Sequence, residues 1–387
     1  MSQQLFQIRN ARVVALDHVI ERGNVYIEGD RIARVVPGED EAPVGIPGAD
    51  LEGLTLYPGF IDVHIHGAVG FDTLAASPDE LVKVSQYLLQ QGVTGWLPTL
   101  VPASPETYQH AIESISAAAQ VDSGARILGV HYEGPFVNSL QCGALHEEFF
   151  RSFMSASDLQ DLPTLKFAGA CHMMTLAPEV DGGIALIQEL TKRRWTTSIG
   201  HTRAAADVLD QAWAAGARHM THFMNAMPQL HHRHLGPVSW GLNRGDVSCD
   251  VIADGIHLDP AILKLLVKIK TPQQLMLISD AIAAAGVGDG DYQIWGETIS
   301  VLNGRTRNAH GSIAGSVISM LDAVRMMRKL GVSELDVARM AATNPARLLG
   351  IDHECGAIEV GKRADLVGLD GSGNIRFVMV GGKGLWT

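Results

Sequence analysis

Tyr57-Pro58-Gly59-Phe60-Ile61-Asp62-Val63-His64-Ile65-His66 is a β-rich apolar run that leaves a Pro-Gly turn and closes on two imidazoles. Side chains at i and i+2 of a strand share a face, so His64 and His66 present two imidazoles to one divalent ion. Seven further apolar runs also end on a polar residue. They are Gly95 to Thr99, Ile127 to Glu133, His172 to Thr175, Thr196 to His201, His219 to His222, Cys249 to Asp254 and Leu275 to Asp280. Helical periodicity follows the first run, from Asp79 to Gln91. Eight strand, loop, helix and loop units at a spacing of roughly 20 to 40 residues are what closes a parallel (β/α)8 barrel of the TIM type. The active site of such a barrel forms at the C-terminal strand ends, so the polar end residues become neighbours there.

The flanks read differently. Leu5 to Val14, Asn24 to Glu28 and Arg31 to Val36 are short strands separated by Gly and charged turns. Beyond the barrel, the helical patterns Val317 to Leu330 and Ser333 to Leu349 lead into a Gly-punctuated, strand-like tail from Gly356 onward. The tail is expected to rejoin the N-terminal strands. The predicted fold is therefore α/β, a barrel over 56–355 with a small β-sandwich domain built from segments 1–55 and 356–387.

Composition narrows the function classes. The chain has 387 residues, is 46% hydrophobic and 19% charged, and is long enough for one large core with a satellite domain. A net charge of −12 argues against nucleic acid as a partner and requires any anion site to be locally basic. Without a basic, apolar leader at the N-terminus or an apolar stretch of membrane-spanning length, a cytoplasmic protein with no membrane partner is expected. Cys142, Cys171, Cys249 and Cys355 form no CxxC pair and suggest neither a disulfide framework nor a thiolate metal site.

Any one of 16 histidines is more readily a core or surface residue than a ligand. The set carries the argument. Glu133 ends its run just before Gly134-Pro135, with its carboxylate aimed at the loop face, and His201 and His222 occupy equivalent strand ends. An anionic ligand beside imidazoles is what a hard or borderline divalent ion needs. Asp280, the sixth potential metal ligand beside His64, His66, Glu133, His201 and His222, ends an almost wholly apolar run, where a lone carboxylate is costly to bury. Beside a cation it can instead take a proton from an activated water and return it to a leaving amine.

These motifs resemble the amidohydrolase superfamily, and within it the N-acetylglucosamine-6-phosphate deacetylases. The resemblance runs nearly end to end. It rests on the 58–67 stretch and on Glu133-Gly134-Pro135-Phe136, Thr175-Leu176-Ala177-Pro178-Glu179, Ile199-Gly200-His201 and Thr221-His222-Phe223-Met224-Asn225-Ala226-Met227-Pro228. Ile252-Ala253-Asp254-Gly255-Ile256-His257, Ser279-Asp280-Ala281, Asn344-Pro345-Ala346-Arg347 and the tail from Gly356 to Leu366 extend it. His-x-His and the tail are superfamily-wide, whereas Glu-Gly-Pro and His-x-x-Asn-Ala-Met are more specific.

The resemblance implies that Glu133, His201 and His222 hold the main ion, that Asp280 is the catalytic acid and base, and that His64 and His66 can hold a second ion. Many relatives use a carboxylated lysine on the fourth strand, for which Glu133 substitutes here. Zinc is the expected ion, one or two per subunit, with iron (Fe2+) or another divalent ion also compatible with N/O ligands. The substrate would be N-acetyl-D-glucosamine 6-phosphate, its galacto epimer, or, in a more distant reading, a cyclic amide or nucleobase. Asn225, the Ala226 backbone and Arg233, in the loop Leu230-His231-His232-Arg233-His234, would contact the sugar phosphate. His257 would touch substrate and polarise the acetyl carbonyl. Relatives borrow groups from a neighbouring subunit, which implies a homodimer. One departure stands out: Cys142-Gly143-Ala144-Leu145-His146 places Leu145 where the family has a polar residue, so either the loop slips by one and His146 makes the contact or this contact differs.

Overall fold

The computed structural model describes residues 5–38 and 45–386. Eight parallel strands form the barrel in chain order: Phe60–Ile65, Val93–Leu100, Gly129–Glu133, Cys171–Leu176, Thr196–Ile199, His219–Met220, Ser248–Ile252 and Leu275–Ile278. Seven neighbouring pairs are joined by parallel ladders. The last and first strands meet just beyond Ile278. There the Asp280 N–H donates to the His64 carbonyl at 2.9 Å, and the His66 N–H donates to that of Ala281 at 2.8 Å. The seam that closes the barrel thus runs through three of the predicted site residues.

The helices follow from their apolar periods. Pro78–Gln90 buries Leu81, Val84, Ser85, Leu88 and Leu89, a stripe at helical spacing. Pro78 occupies the first turn, and Glu80 accepts the Ser77 N–H at 2.8 Å, so the start is fixed by local chemistry. The 317–330 pattern forms the helix Met320–Lys329, and the 333–349 pattern is broken by a π turn at Arg339–Thr343.

The flanking strands join as the sequence suggests. Lys383–Trp386, Ile375–Val380, Leu366–Leu369, Thr55–Pro58, Leu5–Val14, Val19–Glu28 and Arg31–Pro37 are hydrogen-bonded in that order, with Gly48–Asp50 paired to Leu5–Val14. Their core mixes both ends of the chain: Ile8, Val25, Ile27 and Leu56 pack with Ile358, Leu366, Phe377 and Met379. The opening sequence run is divided. Thr55–Pro58 pairs with Leu366–Leu369 in the small domain, and the barrel begins at Phe60. Gly59 sits at the division, where a Cβ would lie 2.2 Å from Thr94 Oγ1, so no larger residue fits.

One element has no counterpart in the sequence reading. Gly290–Ile294, Glu297–Leu302 and Arg305–Arg307 form a three-stranded antiparallel sheet between the last barrel strand and the helix Met320–Lys329. The turn of its first hairpin carries Trp295.

Candidate active site

Glu133 is the last residue of the third strand, while His201, His222 and Asp280 each lie two residues past the end of theirs. All three of these later residues have positive φ, at 48°, 29° and 49°. Such backbone costs non-glycine residues on the order of 1–3 kcal/mol each and persists only where neighbours over-determine it. The neighbours are visible: Asp250 Oδ1 accepts the His222 N–H, the His201 carbonyl accepts the Asn138 N–H at 3.0 Å, and Asp280 is held by the closing seam.

The side chains converge. Glu133 Oε1 lies 3.0 Å from Nε2 of both His201 and His222, and those nitrogens are 3.1 Å apart. His64 and His66 bring their Nε2 atoms to 3.2 Å from each other and 3.3 Å from Asp280 Oδ1. Glu133 spans both groups, with Oε1 at 3.5 Å from His64 and Oε2 at 3.3 Å from His66. Ligands placed about 2.0–2.2 Å from a tetrahedral ion stand about 3.3–3.6 Å apart, close to this spacing. Two overlapping groups, His64-His66-Glu133 and Glu133-His201-His222, meet the geometric requirement for binding metal. The donor set fits a divalent cation by number, by type and by spacing.

Charge and burial agree with that fit. Burial pushes the carboxyls of Glu133 and Asp280 up, but the surrounding imidazoles, His64 first, outweigh it and hold both below their ordinary values. The His201 Nδ1 faces the Gln141 carbonyl at 2.7 Å, which fixes the tautomer that leaves Nε2 free to ligate. Nδ1 of His64, His66 and His222 is buried without a hydrogen-bond partner. Ring packing orients two of them: His131 stands edge-on to His64 at 4.6 Å, and Trp295 stands edge-on to His66 at 5.1 Å. Below, Thr99, His131, Thr175, Thr221 and Ser198 form one buried hydrogen-bonded chain.

Above the convergence opens a cavity of about 310 Å³. Asn225, Ala226 and His257 line it, together with Leu145, Trp295 and Ile313. His257 Nδ1 lies 2.7 Å from Asp254 Oδ2, so its Nε2 is left for a ligand. Asp254 also accepts the backbone N–H of Ile256 and of His257, each at 2.8 Å. Burial alone would raise the Asp254 carboxyl, but the His257 contact lowers it below its ordinary value. Asn225 Nδ2 is a buried donor without a partner at the same cavity.

Two predicted contacts lie elsewhere. Arg233 sits in an exposed loop outside the cavity lining, with its N–H on His231 Nδ1 at 3.1 Å. His146 turns to Glu297, 4.0 Å away, while Leu145 takes the place in the wall. The sequence reading missed Trp295, Asp250 and the carboxylate partner of His257. An acidic residue three positions before a loop histidine was an available signal for Asp254. Nothing local reveals where the hairpin turn at Trp295 points.

Comparison with known proteins places this geometry. The amidohydrolase family matches residues 55–385. An N-acetylglucosamine-6-phosphate deacetylase of Bacillus subtilis (strain 168) is 35% identical, covering 93% of this chain and 92% of that protein. An N-acetylgalactosamine-6-phosphate deacetylase of Escherichia coli O157:H7 is 34% identical over 90% of this chain and 92% of its own. Among solved structures, the N-acetylglucosamine-6-phosphate deacetylase of Pasteurella multocida superposes with a TM-score of 0.90 at 28% identity, covering 99% of this chain and 100% of that one. A point mutant of the Mycobacterium smegmatis N-acetyl-D-glucosamine-6-phosphate deacetylase, solved in complex with N-acetyl-D-glucosamine-6-phosphate, gives 0.88 at 32% identity, with 100% of both chains covered. With its strand-end ligand set and this likeness along nearly its whole length, the chain belongs to the amidohydrolase family, among the N-acetylglucosamine-6-phosphate and N-acetylgalactosamine-6-phosphate deacetylases.

Proposed function

We propose that this protein removes the acetyl group from N-acetyl-D-glucosamine 6-phosphate, giving D-glucosamine 6-phosphate and acetate in amino-sugar catabolism. The observation that carries the proposal is the meeting of Glu133, His201, His222, His64, His66 and Asp280 within 3.0–3.5 Å contacts beneath a cavity lined by Asn225, Ala226 and His257. Glu133, His201 and His222 would hold the main ion, and His64 and His66 could hold a second. Zinc suits this N/O set best, and iron is the next choice. When bound, the ion polarises the acetyl carbonyl and lowers the pKa of the attacking water.

The remaining work falls to the protein. Asp280 accepts the proton of the attacking water as its oxygen bonds to the acetyl carbon, then delivers that proton to the amine nitrogen as the C–N bond breaks. His257, held at Nδ1 by the Asp254 carboxylate, faces the carbonyl oxygen with Nε2 and in its imidazolium form donates to it as negative charge grows there. Asn225 Nδ2, buried without a partner, and the Ala226 backbone bind the sugar phosphate. Arg233 lies outside the cavity lining on an exposed loop, and this supports a homodimer in which the loop serves the neighbouring copy's phosphate. His146 is kept as a secondary contact. The cytoplasm is the proposed compartment, consistent with four unpaired cysteines, and the barrel is proposed to begin at Phe60 rather than at 56, with the second segment of the β domain from 356.

A second reading, deacetylation of the galacto epimer, is favoured by the 34% identical Escherichia coli relative and by the Leu230–Arg233 loop. Acetate release from the two phosphorylated epimers and from both unphosphorylated sugars tests both readings, with metal analysis of wild type and His64→Ala counting the ions. Release from the gluco phosphate at the highest kcat/KM is expected. A preference for unphosphorylated sugar would remove Arg233 from its role, and no release from any of the four would end the proposal.

A further inference from the structure

Trp295 has an unusual combination of contacts. Its indole Nε1 donates to Asp72 Oδ2 at 2.8 Å, its ring stands edge-on to His66 with centroids 5.1 Å apart, and it lines the cavity. The polar handle of the indole is therefore consumed outside the cavity, and what it offers a ligand is carbon. Trp295 also joins two apolar clusters, packing on one side against the group built on Ile282, Ile294 and Ile299, on which Ala144 also packs, and on the other against Val101, Val137 and Leu145. Ala144 and Leu145 line the same cavity. An apolar corner thus stands against one of the ion-binding imidazoles, in a cavity whose other lining near that point, His66, Glu133, His201, His222 and Asp280, is polar.

We infer that Trp295, Leu145 and Ala144 form the acyl corner of the site, and that Trp295 limits the group removed to acetyl. The inference rests on the deacetylase reading above. In that reaction the acyl carbon must lie beside the ion-binding residues, and the methyl group is one C–C bond from it. That methyl is the part of an N-acetylhexosamine phosphate that bears no polar atom, so it belongs against the apolar wall nearest His66. The departure at Leu145 then has a physical reason: its neighbours across the corner are Trp295 and the aliphatic side chains of Val101 and Val137, where a polar side chain would be buried without a partner. Asp72, holding the indole by its Nε1, keeps the ring from swinging away to admit a longer chain.

The test uses the metal-loaded enzyme and a series of N-acetyl, N-propionyl and N-butyryl hexosamine 6-phosphates. In Trp295→Ala the ratio of kcat/KM for butyryl over acetyl is expected to rise at least about tenfold, the usual reach of one or two methylenes in an apolar site. Leu145→Ala should shift the same ratio in the same direction by a smaller factor, and it serves in place of Trp295→Ala should that variant not fold. Trp295→Phe, which keeps a ring but cannot bond Asp72, should fall between wild type and alanine. If kcat/KM falls equally for all three acyl groups in both alanine variants, the ring stacks on the sugar and the acyl assignment is wrong. Wild-type acetate release separates the two claims. Release with an unmoved ratio overturns only this inference, whereas absence of release overturns the deacetylase reading, and the acyl corner with it.

Discussion

At the scale of single residues, Asp280 and Glu133 have similar chemistry and different positions. Glu133 lies between both imidazole pairs, whereas Asp280 Oδ1, among the described residues, contacts the imidazoles of His64 and His66, each at 3.3 Å. Removing a ligand that touches four imidazoles should empty the site, while neutralising the peripheral carboxylate should leave it filled. Asp280→Asn keeps the volume and removes the proton acceptor, so turnover should fall about 100- to 10,000-fold, the usual contribution of a positioned acid and base. Metal content, measured by elemental analysis on the same sample, should stay near that of wild type. Near-normal turnover would take Asp280 out of the reaction.

At the scale of elements, precision at the barrel mouth depends on how the loops and helices around it are anchored. Lys270 ends the helix Pro260–Lys270 and is buried. Its Nζ donates to three carbonyls, Gly241 at 2.9 Å, Arg244 at 2.6 Å and Val247 at 2.6 Å. These carbonyls belong to the end of the helix Pro237–Asn243 and the turn leading into the seventh barrel strand, where the Gly241 and Arg244 carbonyls have otherwise only long backbone contacts, from the Arg244 N–H at 3.3 Å and the Val247 N–H at 3.4 Å. Lys270→Met fills the space but leaves all three without that donor. A loss on the order of 3 kcal/mol is expected, read as a lower urea midpoint with an unchanged m-value. Since Lys270 lies at the opposite end of this strand from Asp254, kcat below the unfolding transition should be little altered. A midpoint equal to that of wild type would mean water replaces the ammonium at no cost.

At the scale of the whole molecule, the seam closing the barrel runs through three of the six residues proposed to hold the ion. The Asp280 and His66 N–H groups complete the last strand contact while their side chains face the ion position. Native protein gathers six donors in one place and the unfolded chain does not, so ion binding favours the folded state by mass action. Chelation should lower the melting temperature, and re-adding zinc should restore it in proportion to the logarithm of free zinc. With metal at 100 times its Kd, the gain is about 2.7 kcal/mol per site. An identical melting temperature with and without chelator would mean that the donors bind no ion in the native state.

The sequence alone determined the barrel, because eight apolar runs with polar ends at regular spacing have few other ways to bury themselves. It also put forward the candidate ligand set, since His64-x-His66 alternates as a strand must and Glu133, His201, His222 and Asp280 each follow an apolar run. The joining of both chain ends was legible in their short, Gly-bounded strands, although the division at Gly59 was not, since it depends on the approach of Thr94 from the next strand. Only the tertiary structure decided the walls of the cavity. It placed Leu145 rather than His146 in the lining, left Arg233 outside it, and brought Trp295 from a hairpin more than 200 residues away in sequence to stand on His66. Strand periodicity is local and survives in the sequence, whereas the direction of a loop is set by packing among residues remote along the chain.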